Sequence, residues 1–229
     1  MTTLLAISPH LDDAVFSVGA TLWRAARRGW RVVVATVFTG NVAQPTGFAL
    51  VCQLDKGLTD DVDYMALRRA EDEEACARLG ADALHLPLLE APHRGYESAP
   101  TLFGDVSPYD PAKGYVRDAI AALLADLRPD ILLAPLGIGG HVDHLVVRDA
   151  VAELNNPPTT LLWEDWPYLD RSDLPARDQA LGIPAGPDAR AAKLCACAAY
   201  ASQLGFQFGG KAALRNRLAS QQTEWLHPA

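Results

Sequence analysis

His10, Asp12 and Asp13 stand together in Ile7-Ser8-Pro9-His10-Leu11-Asp12-Asp13, and His141, Asp143 and His144 in Gly139-Gly140-His141-Val142-Asp143-His144. Half of the chain's six histidines lie in these two stretches. Imidazole and carboxylate are the donors of catalytic zinc sites, which use about three protein ligands and leave a further position open. His10 and Asp13 are three apart, so one turn can aim both inward while Asp12 points elsewhere. With either His141 or His144 they make a two-histidine, one-carboxylate set. A metal in such a set acidifies water and polarises a carbonyl oxygen. Asp12 is then placed to take the water's proton, and the histidine left outside the set to stabilise the oxyanion or protonate a leaving amine. Asp143 could bond that imidazole's far nitrogen and keep it protonated. This is machinery for hydrolysing an amide. The competing structural reading is that Asp12 or Asp13 caps a helix.

Such chemistry needs elements that bring the two stretches together. Leu4–Ile7 reads as a buried strand, and Ala14–Arg27 has helical apolar spacing at Val15, Val18, Leu22, Ala25 and Ala26. Ile131–Pro135 reads as another strand, leading through the second stretch into the helical pattern Leu145–Leu154. Strand-to-helix turns in open α/β sheets lie at the carboxyl ends of the strands, where ligands bind. The remaining chain alternates in the same way. Arg31–Phe38 is a Val-rich strand, Tyr64–Leu79 a helix closed by Gly80, Ala83–Leu86 a strand, Lys113–Leu127 a helix, Thr159–Trp163 a strand and Asp188–Leu204 a helix. Residues 41–63, 88–112 and 170–187 read as loops over the strand ends, and the C-terminal segment with His227 as a short helix and a tail. No repeat or linker interrupts the pattern, so residues 1–229 read as a single domain, an α/β sandwich with a mostly parallel sheet.

Apolar content of 49% and charged content of 21% are ordinary for a globular chain. A net charge of −8 with no Lys/Arg cluster gives no footprint for nucleic acid. No apolar run approaches the roughly 18 residues of a membrane span, and the N-terminus does not read as a secretory signal. Cys52, Cys76, Cys195 and Cys197 form no C-x-x-C and read as buried free thiols of a cytoplasmic protein. A homo-oligomer is left open.

Pro9-His10-Leu11-Asp12-Asp13 with Gly19, and His141-Val142-Asp143-His144, resemble the two signature motifs of the PIG-L/LmbE-like zinc deacetylases. Arg68-Arg69-Ala70-Glu71 with Ala75 and Leu79-Gly80 resembles the helix that family carries between them, and Tyr200-Ala201-Ser202-Gln203 a pattern near its C-terminus. The resemblance implies a Rossmann-like three-layer sandwich and hydrolysis of an N-acyl group, usually acetyl on an amino sugar such as N-acetylglucosamine. It implies that His10, Asp13 and His144 hold Zn²⁺ or another divalent metal and that Asp12 is the general base. It further implies that His141 stabilises the oxyanion or acts as acid with Asp143 behind it, and that Arg68 contacts a small-molecule N-acylated substrate. Leu11 and Ala14 replace the Pro and Glu frequent in the first motif, and Val142 a Pro in the second. Ala14 argues against a thiol-pathway or lipid-inositol glycan substrate.

Two other functions compete. One is an amidase acting on a thiol conjugate or a secondary-metabolite amide. The other is a non-catalytic Rossmann-like binding module, with Gly137-Ile138-Gly139-Gly140 as a phosphate loop that lacks the G-x-G-x-x-G spacing. Arg68 has the structural alternative of pairing with Glu71 or Asp72 along its helix. Trp163-Glu164-Asp165-Trp166 reads as cleft rim or strand end, His85 as structural, and His93 as near the cleft mouth.

Overall fold

Seven short strands form one sheet in the computed structural model, which describes residues 1–173 and 175–229, the side chains of Asp170 and Arg171 excepted. Strands β1 (Thr3–Ser8), β2 (Arg31–Thr36), β3 (Asp82–His85), β4 (Ile131–Pro135) and β5 (Thr159–Trp163) run parallel. Strand β7 (Thr223–Pro228) is antiparallel to both β5 and β6 (Leu181–Pro184), and the order is β3-β2-β1-β4-β5-β7-β6. The strands that read as continuous apolar runs do so because both faces are covered. Leu4, Ala6, Val32, Val34 and Leu133 enter one core, and Leu5, Ile7, Val33, Ala35, Leu132 and Ala134 the other.

The α-helices among the described residues are α1 (Asp13–Arg27), α2 (Gly47–Leu54), α3 (Tyr64–Leu79), α4 (Ala99–Leu102), α5 (Ala112–Leu127), α6 (Val142–Ala152), α7 (Pro187–Cys197), α8 (Ala201–Phe208) and α9 (Lys211–Ser220). α1, α3, α7, α8 and α9 contribute to the first core, α5 and α6 to the second, which gives three layers. No described helix is long and apolar enough to cross a membrane.

Several segments differ from the sequence reading. Within the expected loop 41–63 lies α2; its sequence Gly-Phe-Ala-Leu-Val-Cys-Gln-Leu is apolar nearly all round, so it shows no helical period. Within 170–187 lies β6, and Leu174 falls outside the described residues. The expected helix 188–204 is two helices, interrupted where Tyr200 turns inward to donate to Asp72 at 2.6 Å. The expected C-terminal tail is β7, and His227 is a buried residue bonded to Glu164 at 3.1 Å. A charged residue, Glu224, takes an inward position of that strand and hides its alternation. Cys76 and Cys197 are buried thiols as expected, but Cys52 is half-buried and Cys195 exposed.

Candidate metal centre and active-site cleft

β1 and β4 are neighbours, and β1 is where the chain order of the sheet reverses, so the turns leaving them share one crevice. In the first turn Ser8 does the capping. Its Oγ accepts from Ala14 N at 3.0 Å and donates to the His10 carbonyl at 2.7 Å. Asp12, at the N-cap position, makes no side-chain cap bond. It stands at φ 154°, a region that costs a non-glycine residue on the order of 1–3 kcal/mol and is met mainly at functional sites. The capping alternative for Asp12 is thereby excluded.

Behind this turn α1 is broken at Val18 (φ −126°, ψ 21°). A buried ion pair occupies the break. Glu224 accepts from Ala20 N at 3.1 Å and Thr21 N at 2.8 Å, and Lys193 donates to Ser17 O at 3.1 Å and to Glu224 at 2.7 Å. The backbone groups freed by the break are thus satisfied by charges that neutralise each other.

Three donors converge at the turn ends. Asp13 Oδ2 lies 3.1 Å from His10 Nδ1 and 3.1 Å from His144 Nε2, and the donor atoms of the three buried residues all fall within 4.8 Å of one another. His144 Nε2 is buried with no hydrogen-bond partner although it faces a carboxylate. A nitrogen lone pair directed at a shared point, rather than along a hydrogen bond, fits a metal ligand. The outer nitrogens are fixed by carboxylates: His10 Nε2 pairs with Asp143 at 2.9 Å and His144 Nδ1 with Asp165 at 2.7 Å. Histidine ligands are ordinarily oriented this way. The residues therefore fit a divalent cation.

The electrostatics agree. Burial disfavours the imidazolium of His10, yet Asp13 and Asp143 outweigh it and raise its pKa to about 9. His144 is likewise raised against burial by Asp13 and Asp165. Asp13 is held well below the usual carboxylate range despite burial, by His144 and His10. The carboxylates create a site for positive charge.

One expected partnership is corrected. Asp143 does not lie behind His141. Its carboxylate accepts from His10 Nε2, from Ala91 N at 3.1 Å and from Arg94 Nη2 at 2.7 Å. His141 instead sits at the N-cap of α6 with Nδ1 accepting the Asp143 N–H at 3.2 Å. Burial and the nearby His10 lower its pKa to about 3, so it is a neutral imidazole rather than the expected imidazolium.

Arg68 pairs with neither Glu71 nor Asp72. Its Nη1 donates to Glu90 at 2.6 Å, and its Nη2 to Leu11 O at 3.2 Å with Asp12 Oδ2 3.6 Å away. Asp72 is taken by Tyr200 and by His85 at 2.9 Å, which leaves His85 structural as expected. Burial raises the Asp12 pKa to about 7, with Arg68 opposing and Asp13 reinforcing.

Sequence reasoning gave Arg94, Tyr168 and Phe103 no role, and gave Asp165 only as part of a cleft rim or strand end. Asp165 lies just past β5, a third strand end in the same crevice, and that position was the available signal. Arg94 carried none, because it comes from the proline-rich segment. Asp165 Oδ2 also accepts from Gly137 N at 2.8 Å and Ile138 N at 2.9 Å, so the glycine turn spends these amides internally and is no phosphate loop. That turn needs glycine: Gly139 has φ 88°, and a Cβ there would meet Tyr168 Cβ at 2.8 Å. Glu164 faces away, bonded to Arg177 and His227. The cleft over the donors measures about 310 Å³ and reaches Arg68, His141 and Tyr168; His93 borders a separate small recess that shares Tyr64 and Glu90 with it. Asp165→Ala should weaken metal affinity by about 10–100-fold by freeing His144. Competition with a fluorescent chelator measures this, and unchanged affinity would contradict the orienting role.

The PIG-L family profile, described as GlcNAc-PI de-N-acetylase, matches residues 5–155. 2'-N-acetylparomamine deacetylase of Streptomyces fradiae is 35% identical over 173 residues, 74% of this chain; the chain matches 58% of that protein's length. Among solved structures, the zinc-inhibited form of teicoplanin deacetylase Orf2 is similar, with TM-score 0.84 and 30% identity over 98% of this chain and 97% of that one. The A40926 pseudoaglycone deacetylase Dbv21 has TM-score 0.79 and 32% identity, covering 99% and 96%.

Proposed function

Because the chain belongs to the PIG-L family, we propose that it is a hydrolase that removes an N-acyl group, acetyl first among them, from an amino-sugar substrate. The observation that carries this is the face formed by His10, Asp13 and His144, with Asp12 beside it and free of any capping bond. The relatives named as deacetylases of 2'-N-acetylparomamine, of teicoplanin and of A40926 pseudoaglycone support the reading. A divalent cation on that face, zinc by donor type, would supply Lewis acidity toward water and the acyl oxygen.

Asp12 takes the proton of the attacking water, a role its pKa near 7 suits. His141, holding its proton on Nε2 because Nδ1 accepts from Asp143 N, donates to the acyl oxygen as that oxygen gains charge. A neutral imidazole at a helix N-terminus can serve in this way. The proton on Asp12 then passes to the leaving nitrogen. Asp143 orients His10 rather than His141. Arg68, with both Nη atoms engaged, serves by orienting Asp12 and walling the cleft next to the substrate. No nucleophile competes with water in the described cleft. Ser8 Oγ is tied at both sides by the cap, and burial raises the Cys52 thiol pKa.

The test is release of free amine from glycosides of N-acetylglucosamine, set against amide-linked thiol conjugates, by protein purified without chelator. We expect amine from the sugars and about one divalent ion per chain by elemental analysis. An active preparation free of metal, or activity confined to the thiol conjugates, would overturn the proposal.

A further inference from the structure

Glu71 and the stretch 200–203 take no part in the hydrolytic chemistry, yet they meet beside the cleft. Glu71, on α3, accepts from Ser202 N at 2.8 Å and from Ser202 Oγ at 2.6 Å. The Ser202 hydroxyl has a single proton, and the carboxylate takes it. Its Oγ, 2.7 Å from Gln203 Nε2, therefore accepts there, which fixes the amide with its NH2 group toward Ser202. The same Nε2 lies 3.5 Å from Tyr64 Oη. What is left of the amide is Oε1, which accepts from no described residue. Gln203 is only 1% exposed, and it lines the cleft together with Tyr64. A carbonyl oxygen buried to this degree costs stability until a donor reaches it. Tyr64 supplies the complement. Its hydroxyl donates to no described residue, and two cations stand by its ring, Arg68 Cζ at 5.3 Å and Lys56 Nζ at 5.4 Å from the ring centre. Arg68 is in turn 3.6 Å from Asp12 Oδ2, so this part of the cleft adjoins the proposed base.

A free acceptor beside a free donor is matched by a group that both gives and accepts a hydrogen bond. A hydroxyl does both, whereas an ammonium only donates. Resting on the proposed deacetylase reading, we infer that Gln203 and Tyr64 bind a ring hydroxyl of the amino sugar. That hydroxyl donates to Gln203 Oε1 and accepts from Tyr64 Oη. Glu71 and Ser202 are positioning residues, since together they hold the amide with its oxygen free. Lys56 and Arg68 add repulsion against an amine at the same place. Asp55 also lines the cleft, so a hydroxyl and an ammonium are compared directly below.

The experiment follows acetate release by metal-loaded protein from the methyl β-glycoside of N-acetylglucosamine, from its 3-, 4- and 6-deoxy analogues, and from the analogues with an amine at those positions. One deoxy sugar should lose roughly 10–100-fold in kcat/KM, the scale of leaving buried polar groups unpaired. The loss should fall on KM, since a hydroxyl away from the acyl carbon is held alike in ground and transition states. Gln203→Met and Tyr64→Phe should each lower kcat/KM for the parent sugar by about 10-fold yet change it little for that deoxy sugar, because the two changes remove the same contact. Bound metal should be unchanged in both variants. Ser202→Ala, which frees the amide to turn over, should reproduce part of the Gln203→Met loss. The sugar with an amine at that position should be no better than the deoxy one. Equal hydrolysis of all the deoxy sugars overturns the inference and leaves the deacetylase reading standing, as does a Gln203→Met loss that is the same on every sugar. Preference for an amine-bearing sugar overturns it in favour of an ammonium. Acetate release from none of them overturns the deacetylase reading and this inference together.

Discussion

Asp12→Asn should bind its divalent metal as the parent chain does and turn over about 10²–10⁴-fold more slowly, the usual cost of losing a general base. Asp12 is beside the donor face but is not part of it, because the converging atoms belong to His10, Asp13 and His144. The amide preserves shape and can hold a water by a hydrogen bond, but it cannot accept a proton near neutral pH. The strained backbone at φ 154° is unchanged, so the substitution separates carboxylate chemistry from local geometry. The pH dependence gives a second reading. A base works when deprotonated, and the buried Asp12 has its pKa raised to about 7. Activity of the parent chain should therefore rise through the neutral range as pH increases, and that acidic limb should vanish or move in Asp12→Asn. His141→Ala should lower kcat but leave the limb in place, since His141 is already neutral across this range. Metal content and kcat/KM against pH decide the matter. A near-parental rate for Asp12→Asn, or a limb that stays where it was, removes Asp12 from the role of base.

The convergence of His10, Asp13 and His144 was legible in the sequence because these residues sit at two strand-to-helix turns, where the number of arrangements is small. A short turn after β1 can place His10 and Asp13 on one side, and the reversal of strand order then brings His144 opposite. Spacing could not separate His141 from His144; in the fold Asp165 holds His144 from a third strand end, while His141 groups with His10 and Asp143. The partner of Asp143 was misread for a related reason. The family resemblance placed Asp143 behind His141, whereas the fold brings His10 Nε2 and Arg94 to that carboxylate from segments 133 and 49 residues away. α2 and β7 were missed because each breaks the rule that exposes such elements: α2 presents Val51 and Leu54 to solvent, and β7 turns Glu224 inward. The second exception has a physical cause: Glu224 caps the restarted α1.

Asp13→Ala is expected to lose metal and activity together, by more than the about 10–100-fold that loss of an orienting carboxylate costs. Asp13 is within ion-pair distance of both other donors, with Oδ2 at 3.1 Å from His10 Nδ1 and 3.1 Å from His144 Nε2. It also accepts from His10 N at 2.8 Å, which closes the turn on which His10 stands. Removing it leaves two buried imidazoles facing each other with no charge between them. Asp13 is the chief partner raising the pKa of both His10 and His144 against burial, so each would then lose its largest offsetting attraction. A cation at that point would lose the same attraction. Asp13→Asn is the companion variant: it retains the shape and the bond from His10 N but removes the charge, so it should fold as the parent does while metal binding still falls. Equilibrium dialysis against a chelator series, with turnover on the same samples, tests the pair of variants. Restoration of activity by excess metal in Asp13→Asn would show that affinity, rather than the later proton transfers, is what Asp13 contributes. If Asp13→Ala keeps its full complement of metal, the donor face is not the metal site, and the division of labour between the two adjacent aspartates is wrong.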